Sequence, residues 1–202
     1  MKQVLKWKND LIFLDISFVY TNIKDDEKVK TLVIVAHPNL ENSVINKTLM
    51  NRLQKEENIT IQDLYATYPD GRIDQEHEQQ LLLAHDRIVF QFPFYWYSSP
   101  SLLKEWQDVV LSYGWAYGPE GKQLQGKEFI LAISTGGPEV SYQAGSYNQY
   151  SMSELTKPFQ ATANLTGMRF LPTYKIHGAR FLNNEQIQES AEALVQHLNK
   201  TY

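Results

Sequence analysis

At 202 residues, the chain suits one α/β domain and can bury roughly 70% of its unfolded surface. A formal charge of −4 argues against a nucleic-acid partner and against a polybasic membrane anchor. With no cysteine in the chain there is no disulfide framework, no thiolate nucleophile and no Cys-type metal site, which fits the cytoplasm.

Residues 1–30 read as an extension and linker ahead of a domain spanning 31–202. Within the extension, Leu11 to Tyr20 is apolar, but Asp15 interrupts it and it is too short to span a bilayer. Thr21 to Lys30 offers no small-residue cleavage site, so a signal peptide is not expected. An appended strand or hairpin, or a start codon placed too far upstream, would look the same. The charged run Lys24 to Lys28 reads as a solvated linker.

The domain opens with Thr31-Leu32-Val33-Ile34-Val35-Ala36, a near-continuous apolar run of the kind found in central parallel strands. A helix is predicted from about Ser43 to Glu57, with Val44, Leu49 and Leu53 inward. Ile59 to Leu64 reads as a second strand. Gln75 to His85 reads as a helix that buries Leu81, Leu82 and Leu83. Asp86 to Phe90 is a buried strand, followed by the aromatic loop Phe92-Pro93-Phe94-Tyr95-Trp96-Tyr97 and an amphipathic helix from Ser101. Lys127 to Ile133 is the fourth strand. Ser151 to Thr166 is predicted helical, Met168 to Ile176 is the last strand, and Asn184 to Asn199 is the final helix. Five strands alternating with helices, without an internal repeat, predict a parallel doubly wound sheet. Ligands bind such sheets at the carboxyl ends of the strands.

Three loops fall at that edge. Thr31 to Lys47 contains no glycine, which excludes the dinucleotide-binding Gly-x-Gly-x-x-Gly turn. Instead His37, Asn39, Asn42, Ser43 and Asn46 crowd the loop and helix start, where partial positive charge and free N–H groups suit a phosphate. Helix capping by Asn42 or Ser43 is the plainer alternative. The second loop, Pro93 to Trp96, places large rings between polar residues and prolines. It suits a flat aromatic ligand or an oligomer interface. The third, Thr135-Gly136-Gly137-Pro138, lets backbone approach a ring closely, although a simple tight turn would look alike. Tyr142, Tyr147 and Asn148 follow on a polar loop, and Tyr113, Trp115 and Tyr117 could wall a pocket or serve ordinary packing. The five histidines are scattered, and Glu76-His77-Glu78 reads as a solvated helix face, so no metal site is expected. A hydrolase is disfavoured by the lack of a Gly-x-Ser-x-Gly elbow.

Ala36-His37-Pro38, Pro93-Phe94-Tyr95-Trp96, Gly114-Trp115-Ala116-Tyr117-Gly118 and Ser134-Thr135-Gly136-Gly137 together resemble the flavodoxin-like NAD(P)H:quinone oxidoreductase family over Thr31 to Tyr202. The chain is most similar to its short flavoproteins, which include ancillary subunits of potassium efflux systems. The Gly-Gly-Pro-Glu loop and Gly145-Ser146-Tyr147-Asn148 carry that likeness.

The resemblance implies a flavodoxin-like sheet of order 2-1-3-4-5 and a non-covalent flavin, FMN rather than the alternative FAD. Ser43 would hold the phosphate with His37 and Asn46 beside it. Pro93, Phe94, Tyr95 and Trp96 would meet the flavin ring, and Thr135, Gly136 and Gly137 its other edge. Tyr142 matches a family tyrosine near the flavin carbonyl. In the longer members a histidine follows it; here Tyr147 is the nearby candidate, and the two tyrosines are the candidate catalytic residues. Trp96, Trp115 and Tyr117 would wall the substrate pocket. The implied activity is hydride transfer from NAD(P)H to flavin and two-electron reduction of a quinone in ping-pong fashion, by a cytoplasmic homodimer. The other implied role is a regulatory subunit docked on a membrane potassium/proton antiporter at the inner face of the cell membrane.

Overall fold

The computed structural model describes residues 28–202; the expected strand or hairpin within residues 1–27 lies outside the described residues. Six strands form the sheet: β1 (Thr31–Val35), β2 (Ile59–Asp63), β3 (Arg87–Pro93), β4 (Glu128–Ser134), β5 (Arg169–Phe170) and β6 (Tyr174–Ile176). The order is β2-β1-β3-β4-β5, with β6 also pairing β4, and every pairing is parallel. β5 and β6 together occupy the place of the single predicted strand Met168 to Ile176. Between them lies Pro172, which has no N–H to give a ladder. β5 accompanies the first residues of β4, and β6 accompanies its last three, Ala132 to Ser134.

Strand alternation divides the core in two. Leu32, Ile34, Ile88 and Phe90 face one side, and Val33, Val35, Val89 and Ile130 the other. The first face is covered by α3 (Gln75–Leu83), α4 (Ser101–Val110) and α6 (Lys157–Thr166), through Leu82, Leu103, Trp106, Phe159 and Ala163. The second is covered by α1 (Val44–Leu53) and α7 (Asn184–Leu198), through Leu49, Leu53, Ile187 and Leu194. The remaining helices, α2 (Leu64–Thr67) and α5 (Met152–Leu155), are single turns.

Several expectations need correction. Val44 is 62% exposed because it is the first residue of α1, while Ile45 and Leu49 take the inward face. Of the three leucines in α3 only Leu82 is buried, and Leu83 is exposed; consecutive helical residues point about 100° apart and cannot share a face. The predicted helix Ser151 to Thr166 is broken at Thr156 into α5 and α6, whose second residue is Pro158. Proline lacks the N–H that a continuous helix would need there.

Glu78 does not lie on a solvated face. It is fully buried, and its carboxylate accepts from Tyr68 Oη at 2.7 Å, from Trp106 Nε1 at 2.8 Å and from Gln62 Nε2. These donors supply the hydrogen bonds that a buried carboxylate requires.

Candidate functional site

Consecutive backbone bonds stitch the carboxyl ends of the strands into one shelf. The Ala36 N–H donates to Gln91 O at 2.9 Å, the Phe94 N–H to Ser134 O at 2.8 Å, and the Thr135 N–H to Ile176 O at 2.8 Å. The loops after β1, β3 and β4 therefore converge on one edge. The loop after β6 joins them: the Gly178 N–H donates to Gly137 O at 2.8 Å and the Ala179 N–H to Thr135 O at 2.9 Å.

The α1 end of the shelf is polar. Ser43 caps α1, its Oγ accepting from the Asn46 N–H at 3.3 Å, so the capping role weighed from sequence is occupied. Capping uses the oxygen as acceptor and leaves the hydroxyl proton available. The N–H groups of Val44 and Ile45 have no intrahelical acceptor at this position. Asn46 is only 3% exposed. Its Nδ2 donates to Ser43 Oγ at 3.3 Å and to Ser134 Oγ at 3.1 Å, tying the helix start to the end of β4. Beneath it, Gln91 Nε2 donates to Asn46 O at 2.9 Å. Asn46 is thus tied to both Ser43 and Ser134. Two buried acceptors here, Asn46 Oδ1 and Gln91 Oε1, have no hydrogen-bond partner among the described residues.

His37 lies almost buried, with Nδ1 accepting from the Asn39 N–H at 3.1 Å. Burial holds its pKa below the ordinary histidine value, with a smaller opposing pull from Asp63. A neutral ring with Nδ1 as acceptor carries its proton on Nε2, which makes it a donor there. The ring meets Tyr95 edge-on at 6.3 Å, joining the first loop to the second.

The aromatic loop begins where β3 ends. Pro93 is the last strand residue and is buried, and Phe94 is half-buried. Trp96 (φ 50°) and Tyr97 (φ 60°) both take left-handed backbone, a costly conformation for bulky side chains and one that clusters at ligand-binding loops. This twist leaves Trp96 92% exposed. Tyr97 Oη donates to Asn148 Oδ1 at 3.2 Å, bringing the polar loop alongside.

At the opposite end, the Thr135 side chain is committed internally. Its Oγ1 donates to Gly137 O at 2.9 Å and lies 3.0 Å from His177 Nδ1. Tyr142 stands between loops, edge-on to Phe94 at 6.3 Å and tilted against His177 at 5.4 Å. A methyl group on Gly137 would sit 3.4 Å from the Tyr142 ring, so this ring closes over the glycine turn. Tyr147 has no such seat and is 88% exposed. Trp115 and Tyr117 are half-buried and rest on the first core face, and Tyr113 meets Tyr117 edge-on at 5.6 Å. The structure therefore joins His37, Tyr95, Phe94, Tyr142 and the glycine turn through direct contacts. No ring pairing among the described residues links Trp96 to Trp115 or Tyr117.

Gln91, His177 and Arg180, whose guanidinium stands near Gly136, were not singled out as site residues from sequence, and Ser134 entered only as part of its motif. Gln91 had a signal, being a polar residue within an apolar strand. His177 follows the last predicted strand directly, at the same edge as the three recognised loops. Concave spaces also occur at the amino-terminal edge, bordered by Lys28, Asp86, Glu128 and Arg169, and beside α6. Neither adjoins the stitched loops.

A family profile described as a flavodoxin-like fold matches residues 29–198. The chain belongs to this family. Among its relatives is a Bacillus subtilis protein named an uncharacterized NAD(P)H oxidoreductase, 60% identical over 84% of this chain and 98% of its own. A Salmonella newport protein named a glutathione-regulated potassium-efflux system ancillary protein is 44% identical over 83% and 91%. Many solved structures share the fold. One, named a thermophilic tryptophan halogenase from Streptomycin violaceusniger, is 51% identical with a TM-score of 0.83 over 85% of this chain and 99% of its own. General stress protein 14 of Treponema denticola, solved in complex with FMN, is 39% identical with a TM-score of 0.79 over 84% and 97%. A P. pentosaceus protein named an NADPH-quinone reductase is 36% identical with a TM-score of 0.79 over 86% and 99%. The names of these relatives differ more than their lengths and folds do.

The shelf fits FMN by its own chemistry. The helix start and the Ser43 hydroxyl offer donors to a phosphate. The glycine turn leaves backbone open to a ring edge, and the aromatic loop offers flat apolar surface.

Proposed function

We propose that the chain binds FMN on this shelf and works as an NAD(P)H dehydrogenase acting on quinones. The observation that carries the proposal is the stitching of the four loops into one edge, with donors at the α1 end and a glycine turn at the other. The FMN bound by the Treponema denticola relative, and the names of the Bacillus subtilis and P. pentosaceus relatives, support it. FMN held there would supply the chemistry of accepting a hydride from NAD(P)H and passing two electrons to a quinone. The residues bind and orient. Ser43 and the first N–H groups of α1 hold the phosphate, with His37 Nε2 a further donor beside it. Thr135 fixes Gly137, so that turn backbone faces the ring edge, while Tyr142 excludes water from that end. Trp96 offers the stacking surface that nicotinamide and quinone would use in turn, and such reuse of one site is ping-pong behaviour.

The test is direct. Purified protein should be yellow, lose its colour with NADH or NADPH under argon, and regain it on adding a quinone. Initial rates at several quinone concentrations should give parallel double-reciprocal lines. Ser43→Asp sets like charge against the phosphate and should yield colourless, folded protein; unchanged flavin content would overturn the phosphate assignment. The Salmonella relative favours a second role, docking on a potassium/proton antiporter. Binding to antiporter-containing vesicles, with or without flavin, separates that role from catalysis.

A further inference from the structure

The loop after β6 enters the shelf with a charge that the reaction above does not yet use. Its backbone is pinned to the glycine turn by the Gly178 and Ala179 N–H bonds. Gly178 has φ 66° and turns the chain so that the next residues run back over that turn. The guanidinium end of Arg180 consequently lies across Gly136. A methyl group added at Gly136 would stand 3.4 Å from Arg180 Nε, 3.8 Å from Cζ and 3.9 Å from Nη2. Among the described residues no carboxylate forms an ion pair with Arg180. The other charged groups near this loop are Glu139 and Lys175, whose fields act on His177 in opposite directions.

We infer that Arg180 places a positive charge beside the Gly136–Gly137 turn, and that it favours the reduced, negatively charged form of bound FMN. This rests on the FMN reading above. Two-electron reduction of FMN would add negative charge to the ring, and a cation beside the turn would stabilise the product of reduction more than its starting state. Arginine suits the task because it stays charged at every working pH and presents a planar fork rather than a point charge. The pinned loop keeps the Arg180 backbone beside the turn, with its guanidinium within reach of Gly136.

The experiment compares wild type, Arg180→Gln and Arg180→Lys, each loaded with FMN. It reads flavin content, melting temperature and the midpoint potential of bound FMN by equilibration with a reference dye. Arg180 is exposed, so both variants should fold and hold FMN near the wild-type level. In Arg180→Gln the reduction equilibrium should fall about three- to tenfold, which is about 15–30 mV for a two-electron couple. Arg180→Lys should recover part of the loss, and raising the salt should shrink the wild-type advantage. Equal potentials in wild type and Arg180→Gln would overturn the inference while leaving FMN binding intact. A wild-type protein that takes up no FMN would overturn the proposed function, and the inference with it.

Discussion

Trp96→Gly asks whether the aromatic loop is built for folding or for a ligand. Trp96 holds φ 50° and ψ 45°, and a left-handed backbone costs an L-residue about 1–2 kcal/mol. Glycine removes that cost but loses about 0.5–1 kcal/mol of backbone entropy on folding. Because the ring is 92% exposed, its removal sacrifices little buried area. The net change is therefore between no effect and about 1.5 kcal/mol of stabilisation, a rise of at most about 6 °C at 2–4 °C per kcal/mol for a chain of this size. Were the ring part of a core, truncation would cost about 3–5 kcal/mol, a fall of roughly 6–20 °C. If the ring stacks on nicotinamide and quinone, losing an aromatic pair worth about 0.5–1.5 kcal/mol should lower kcat/KM roughly two- to tenfold. Thermal melting and steady-state NAD(P)H oxidation measure both quantities on one preparation. A melting temperature at or above wild type with slower turnover is the expected pair. A large fall in melting temperature would refute the strain reasoning, and unchanged turnover would remove Trp96 from the pocket.

Asn46→Ala removes the donor that joins Ser43 to Ser134 and should cost about 1–3 kcal/mol, a fall of roughly 2–12 °C, with weaker FMN retention; an unchanged melting temperature would show that the tie is idle. Glu78→Gln puts an amide donor where the carboxylate now accepts only, and should lower the melting temperature without changing flavin content per folded molecule, as measured by absorbance after gel filtration. Burial is the largest influence on His37, His177 and His197, and it holds all three below the ordinary value of 6.5. Depressed histidines favour the folded state fully above that value, so denaturant midpoints should be flat above about pH 7 and fall as pH drops below about 6.5. A midpoint that rises on acidification in that range would contradict the assignment.

The parallel strands and the shared edge of the three loops were legible because apolar runs alternate with helical patterns and each loop follows a strand, while the strand order came with the family resemblance. What was not legible depended on contacts between distant residues. Glu78 looks solvated beside Glu76 and His77 until Tyr68, Gln62 and Trp106 close on it. The bond from the Asn46 amide to Ser134, on a distant strand, is likewise invisible in the sequence. The left-handed turn at Trp96 and Tyr97 has no glycine to announce it, since bulky residues are disfavoured there and only the surrounding loops enforce it. His177 and Arg180 sit on the far side of the break at Pro172. A single parallel strand already brings its trailing loop to that edge, but the contacts with Thr135 and Gly137 depend on β6 pairing the end of β4.

Arg87 ties the end of α7 and the residues after it to the amino-terminal edge of the sheet. This guanidinium is fully buried at the start of the central strand β3, bonded to Glu128, to the carbonyls of Leu198 and Lys200, and lying 5.6 Å from the Tyr202 ring centre. Without the Leu198 and Lys200 carbonyls only Glu128 would offset the burial of this charge, and an unpaired buried charge is costly. The end of α7 and the residues after it therefore serve the sheet as an internal counterpart to a buried cation, not as a loose tail.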